Sequence, residues 1–513
     1  MEARVDRRDR DVDLDRWYAL ALAAFAFVVR VAFELHGPLA TGDFDEGVYF
    51  GTANAFARGV VPYRDFVSVH PSFSSLLFWP TAGPLTSTAG PHVGFLATRV
   101  LAALAGAITT WLLYRCALRL AGRRAAIVTA VLYATFAAAI FTESRVLLDP
   151  FMIVLAVGGV TCFLERRSAS SGFAAGVLFG LSMSTKLTGA IFLIAAVGVG
   201  LVLDRDRRRS ILASLAAVAT FALISLPFVV LAGPRTWFDQ VVMAQLERPT
   251  GAALPGNVDT FTGRLSALVA WGPLGDRGTL PVLVIALGAV ALLSAIAWGA
   301  IRAWRRQDIR AALWTTTAVL AIVGLLAGPT FYAHYAVLAA VPLAVLLGGS
   351  LAAVLDRMPR TAIATSIVAG LTVVCLVWAA KVMWFVEPPS TPREITDAIA
   401  QLDESGCVFL DQPQIGFLAD IVPQDGVGRP LIDPFGGLLE VGRAESHSAL
   451  EALHSTPAQD RLRAALDECE WVVLAVSPDG QFTWSPGTRD WFLATHRPNG
   501  MAGTFTIWRT PTD

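Results

Sequence analysis

The segment Trp17-Tyr-Ala-Leu-Ala-Leu-Ala-Ala-Phe-Ala-Phe-Val-Val-Arg-Val-Ala-Phe-Glu-Leu35 is long and apolar enough, as a helix, to cross the ~30 Å hydrocarbon layer of a bilayer. It is the first of eleven such stretches. The others lie near residues 95–114, 124–142, 147–164, 172–185, 188–203, 211–232, 280–301, 312–328, 332–355 and 361–384. The chain is 55% hydrophobic and 16% charged, with a mean hydropathy of +0.57. Soluble domains carry nearer a quarter charged residues, so this composition belongs to a polytopic α-helical membrane protein. A net charge of −1 gives no basic footprint for a nucleic-acid partner.

Arginine placement orients the spans. Basic segments recur at Arg4 to Arg10, Arg115 to Arg124, Arg166-Arg167, Arg205 to Arg209, Arg302 to Arg310, and Arg357 with Arg360. If eleven helices alternate, all six fall on the side of the N-terminus, and the positive-inside rule makes that side cytoplasmic. The expected organisation is a cytoplasmic tail (1–16), a transmembrane module (17–385) with external loops at 37–94 and 233–279, and an external domain (390–513). The short fifth and sixth spans meet in a hairpin at Ser184-Thr-Lys-Leu-Thr188. The first span has no small-residue cleavage site and reads as a retained anchor in the plasma membrane.

The tail changes character. Helical patterns at Arg393 to Leu402 and Asp460 to Glu468 lead into the apolar runs Cys407 to Asp411 and Trp471 to Val476, and the chain closes with Gly503 to Trp508. Helix followed by strand, twice, describes a small α/β domain, with a surface loop from Asp420 to Gly437. An external compartment permits a Cys407–Cys469 disulfide; spacing alone does not require it. In the 233–279 loop, Trp237 and Trp271 read either as interfacial anchors or as part of a wall over substrate.

Chemistry concentrates at external positions. Directly after the first span comes Thr41-Gly-Asp-Phe-Asp-Glu-Gly-Val-Tyr-Phe50, with Asp43, Asp45 and Glu46 among apolar neighbours. Crowded carboxylates repel, and one is pushed toward holding a proton. Asn54 to Gly59 then reads as a helix end with a glycine cap, followed by Val61-Pro-Tyr63-Arg64-Asp65-Phe and His70-Pro71. A second acidic turn is Glu143-Ser-Arg145-Val-Leu-Leu-Asp149-Pro150. Here Asp149 reads either as a helix cap or as a site carboxylate, with Glu143 simply solvated. Lys186 either snorkels to the interface or holds an anionic headgroup. Pro329-Thr-Phe-Tyr-Ala-His334-Tyr335 opens a later span, where His334 reads as structural or as part of the same site. A transferase working on this face has no ATP or cytosolic nucleotide sugar, so its donor must already be activated in the membrane. A lipid phosphate ester meets that need, and an acid beside the acceptor would act as general base. A transporter or flippase of lipid-linked sugars is the alternative, although such proteins usually show repeated halves.

Together, Asp45-Glu46-Gly-Val-Tyr49, Pro62-Tyr-Arg-Asp65 with His70-Pro71, Ser144 to Pro150, Gly176 to Lys186, and Tyr332-Ala-His-Tyr335 with Pro342 resemble the GT-C glycosyltransferase superfamily. The branch is that of the protein O-mannosyltransferases and lipid A aminoarabinose transferases. The resemblance implies an inverting transferase that moves a sugar, mannose or arabinose first, from a polyprenyl-phosphate donor to a glycan, lipid or protein acceptor at the membrane's outer face. It implies Asp45 as base supported by Glu46, and Arg64, Arg145, Lys186, His334 and Tyr335 around the donor phosphate. Asp43, Tyr63 and His70 would contact substrate, and Asp45 with Asp149 would hold Mg²⁺ or Mn²⁺ if a metal takes part. The third acid, Asp43, and the His70-Pro71-Ser72 ending depart from the family pattern and leave the carboxylate assignment open.

Overall fold

The structure, a computed structural model, describes residues 2–36, 43–165, 168–204, 207–246, 258, 260–269, 279–358, 361–386, 392–403, 407–424, 432–442, 449–475, 484–503 and 505–510. Arg166, Arg167, Arg205, Trp271 and Arg360, together with part of the Asp420 to Gly437 loop, lie outside these residues, as do the side chains of the N-terminal arginines.

Seven described helices are long and apolar enough to cross a membrane: Asp13–Glu34, Pro91–Ala121, Arg207–Ala232, Val282–Arg306, Ile309–Ala327, Ala333–Leu355 and Thr365–Val382. An eighth span is broken. Arg123–Thr135 and Ala137–Glu143 meet at 61°, because Phe136 adopts an extended backbone (φ −70, ψ 126) that interrupts the hydrogen-bond ladder. Three shorter helices, Asp149–Glu165, Ala169–Thr185 and Leu187–Leu203, occupy the remaining expected positions. Between the last two, Lys186 is extended and Leu187–Gly189 forms a 3₁₀ turn, which makes the hairpin.

The arginine-rich connections gather at one end of the bundle. Arg115 and Arg119 pair with Glu165, Arg123 with Asp15, Arg124 with Asp356, and the Arg302 guanidinium donates to the Leu120 carbonyl. These contacts tie together segments distant in sequence, so their placement at a common end is a property of the fold.

At the opposite end, Phe44–Ala57 forms a short helix that ends at Arg58 and Gly59, whose φ of +87° suits glycine. The C-terminal domain docks on this helix. Phe417 packs edge-on against Phe50 and stacks on Phe95, and His92 N–H donates to Asp420 at 2.9 Å. A Cβ at Gly47 would lie 2.3 Å from the Gln414 nitrogen, so the glycine of the Asp-Glu-Gly motif is what permits this approach.

The domain carries a four-stranded sheet in the order β1 (Val408–Leu410), β2 (Trp471–Leu474), β4 (Phe505–Arg509), β3 (Arg497–Ala502). β1 and β2 are parallel with Val408 opposite Trp471, while β2–β4 and β3–β4 are antiparallel. Helices Pro392–Asp403 and Thr456–Asp467 precede β1 and β2, as the sequence pattern predicts. β3, a largely exposed edge strand without alternation, is an addition to that expectation. Cys407 and Cys469 are bonded at the starts of the paired parallel strands. Within the expected surface loop Ile432 is instead buried, and helix Pro434–Gly442, which begins there, places Leu438 just beyond it inside the domain.

Candidate active site

Asp43 caps the helix of the first acidic motif. Its carboxylate accepts from the Asp45 N–H at 3.1 Å, while its own N–H donates to Glu46 at 3.0 Å, a reciprocal capping box. Glu46 is fully buried. It receives two bonds from the Arg99 guanidinium, at 2.8 and 3.0 Å, and a third from the Val146 N–H at 2.9 Å. Its carboxylate is a tether between the first loop and the second acidic turn. Asp45, between these two, is half-buried.

The second acidic turn is assembled from buried charge. Arg145 is wholly inside the protein, donates to Asp43 at 3.1 Å, and covers the Phe141 ring at 3.9 Å. Glu143 is not solvated. It is fully buried, accepts from the Arg30 Nε at 2.6 Å and from the Tyr133 hydroxyl at 2.5 Å, and lies beneath Ser144, whose hydroxyl reaches the Arg30 carbonyl. A solvated reading fails because an arginine inside the first span needs an anion there.

Asp149 begins helix Asp149–Glu165, and both its oxygens accept from the Lys186 ammonium, at 3.0 and 2.8 Å. The same ammonium sits 4.3 Å above the Tyr335 ring. Lys186 is 5% exposed, so it pairs and does not snorkel to water. Asp45 lies near enough for its charge to act on Lys186, and the charges of Asp149, Lys186, Asp43 and Arg145 all reach the His334 ring. His334 stacks with Tyr332 and meets Tyr335 edge-on at 4.6 Å. A cavity of about 250 Å³ opens here, lined by His70, Asp149, Lys186, Gln245 and Tyr335, with Leu187, Ile191, Leu325 and Leu338 as apolar walls.

The remaining candidates divide. His70 joins the cavity and lies 3.3 Å from the Tyr49 hydroxyl through its Nε2. Tyr63 instead braces the loop. It is buried with φ of +67°, its hydroxyl bonds the His70 carbonyl and, at 2.8 Å, Ser72, and burial pushes the phenol well above its ordinary range. Arg64 is not among the groups lining the cavity: it is half-exposed and makes two 2.8 Å bonds to Asp65. That pair, with the Val61 N–H, holds the Asp65 carboxyl down at about 2. Arg64 is expected at the donor phosphate, and its side chain lies instead on the adjacent Asp65, within the turn that the Pro62–Phe66 bridge closes.

The metal expectation fares differently from the lysine. Both Asp149 oxygens already accept from an ammonium, and a cation at the same carboxylate would face that charge. Among the described residues no three His, Cys, Asp or Glu side chains converge on a common point. Asp45 and Asp149 therefore do not fit as a resident Mg²⁺ or Mn²⁺ site.

Sequence reading passed over Arg30, Glu34 and Arg99. All three are buried inside apolar spans, where a charged residue is costly and needs a partner. That cost was the available signal.

Residues 88–231 match the family described as dolichyl-phosphate-mannose-protein mannosyltransferase. The fold resembles that of ArnT from Cupriavidus metallidurans, with a TM-score of 0.58 and 15% identity over 94% of this chain and 97% of that one. The chain shares the fold of ArnT. A second ArnT structure, bound to undecaprenyl phosphate, aligns with a TM-score of 0.57 and 14% identity over 95% of this chain and 97% of that one. The Archaeoglobus fulgidus oligosaccharyltransferase, tethered with an acceptor peptide, aligns at 0.61 and 14% identity, covering 97% of this chain and 74% of its own. No curated protein matches in sequence. In this structure the acidic loop meets the turn after the broken span through Arg145 and Val146, and the Lys186 hairpin meets Asp149, which starts the next helix.

Proposed function

We propose that this GT-C enzyme transfers a sugar from a polyprenyl-phosphate donor to an acceptor hydroxyl, at the outer face of the plasma membrane. The observation that carries the reading is Lys186: a buried ammonium held by Asp149, opening on a cavity with apolar walls. An ammonium suits a phosphate, and the aliphatic walls suit the start of an isoprenoid chain. The ArnT structure bound to undecaprenyl phosphate supports this choice of donor.

In this reading Asp45 is the general base. Its carboxylate accepts the acceptor's O–H proton as the oxygen attacks the sugar's anomeric carbon, the bond from that carbon to the phosphate oxygen breaks, and polyprenyl phosphate leaves with its electrons. Lys186 takes up the charge developing on the leaving phosphate, and a single displacement inverts the anomeric centre. Tyr335 and Asp149 hold the ammonium in place, while His70 and His334 border the phosphate. Glu46 and Arg145 are positioning residues, and Asp43 fixes the helix start on which Asp45 rides. The side bearing the C-terminal domain is the outer one, which keeps the arginine-rich end in the cytoplasm.

The test uses the purified full chain in lipid nanodiscs with polyprenyl-phosphate mannose and polyprenyl-phosphate arabinose, each labelled in the sugar. Release of polyprenyl phosphate that requires Asp45 and Lys186 is the expected result. No release from either donor with any glycan, lipid or peptide acceptor would remove the reading.

A further inference from the structure

The first and second external loops are fastened together by two glutamines whose alignment depends on a non-standard turn of helix. The second loop runs as a continuous helix over residues 234–246, α-helical at Pro234–Phe238 and Ala244–Leu246 but π-helical at Asp239–Met243. Residues five apart on an α-helix point about 140° away from each other, at 100° per residue. A π-turn closes i to i+5 and brings such residues much closer to one face. Gln240 and Gln245 are separated by five residues across this turn, and both reach the same extended segment of the first loop. Gln240 accepts from the Ser68 N–H at 3.0 Å, and the Gln245 amide donates to the Val69 carbonyl at 2.7 Å. Beneath them Val241 packs with Val61, Tyr63 and Phe228, so the attachment has its own apolar footing.

The residue after Val69 is His70, and Gln245 and His70 both line the Lys186 cavity. We infer that Gln245 is a donor-positioning residue: it holds the Val69–His70 wall against the cavity so that His70 and Lys186 engage the lipid phosphate from two sides. The π-turn is the device that sets it there. This inference rests on the polyprenyl-phosphate reading above, and the choice of probe keeps the two separable.

The measurement is binding of undecaprenyl phosphate, without a sugar, to the full chain in nanodiscs, which requires no turnover. Gln245→Ala weakens binding roughly five- to ten-fold, the scale of one hydrogen bond to a held wall. His70→Ala weakens it by a similar factor. Because Gln245 acts through His70, the double variant is no weaker than the weaker single one, whereas a merely structural contribution would multiply with it. Wild-type affinity in Gln245→Ala, or multiplying effects in the double variant, would overturn the inference. A wild-type protein that transfers sugar while both variants bind normally would leave the function standing and remove only the positioning role. A wild-type protein that binds no polyprenyl phosphate would remove the donor reading and this inference with it.

Discussion

Four carboxylates near the cavity do four different jobs, and their partners tell them apart. Asp43 caps a helix, Glu46 tethers through Arg99 and Val146, Asp149 holds Lys186, and Asp45 is half-buried with its charge reaching that lysine. Glu46→Gln leaves Arg99 buried with a neutral partner, and loss of one member of a buried pair costs about 3–5 kcal/mol. The expected outcome is a clearly lowered thermal midpoint of the full chain, whereas Asp45→Asn leaves the midpoint near wild type. Equal midpoints for the two variants would contradict the division of labour. Lys186→Met is predicted to raise the donor KM and lower turnover because the phosphate loses its cation, while wild-type turnover persists in a chelator such as EDTA. A requirement for added divalent metal would contradict the assignment of that charge to Lys186. The tripled acid, the second acidic turn and Lys186 were legible in sequence because charge beside apolar spans is conspicuous. The pairings were not, since Arg30 and Arg99 stand out as charges inside apolar spans but their partners, Glu143 and Glu46, are set only when those spans pack.

At the scale of elements, the spans followed from hydropathy and their common end from arginine spacing. The break at Phe136 and the π-turn at Asp239–Met243 did not, because neither carries a proline or glycine within the affected turn and both arise from packing. Gly47 is the point where element packing becomes stringent. Gly47→Val is predicted to lift the C-terminal domain from helix Phe44–Ala57, seen as faster proteolysis of the external domain; unchanged cleavage would contradict the contact. Inside that domain His496 is buried and stacked on Phe492 at 4.2 Å, and burial lowers its pKa below the ordinary value near 6.5. The folded state therefore resists protonation. Stability is fully present above about pH 6.5 and falls as pH drops toward the lowered value, because the unfolded chain takes up a proton first. His496→Phe should flatten this acid limb in a melting-temperature series, and an unchanged limb would assign it to another group.

At the scale of the molecule, the helical bundle presents one arginine-paired end and one end that carries the acidic loop, Asp149 and Lys186, with the disulfide-bonded α/β domain seated on the first acidic loop. Reducing Cys407–Cys469 is expected to lower the domain's stability by roughly 2–4 kcal/mol, since the bond closes a loop between the starts of two paired strands. The domain sits on the helix that carries Asp45, and the Lys186 hairpin lines the cavity; in the proposed reading these supply the base and the donor-phosphate side. The central claim is that these two halves perform one displacement, with Asp45 taking the proton and Lys186 the phosphate charge. The measurement that tests it most directly is the rate of polyprenyl-phosphate release by full-length Asp45→Asn with donor and acceptor, alongside its affinity for undecaprenyl phosphate. The account predicts a rate lower by about 10²–10⁴-fold, the usual contribution of a general base, with lipid-phosphate affinity not weakened. Wild-type turnover in Asp45→Asn would contradict it.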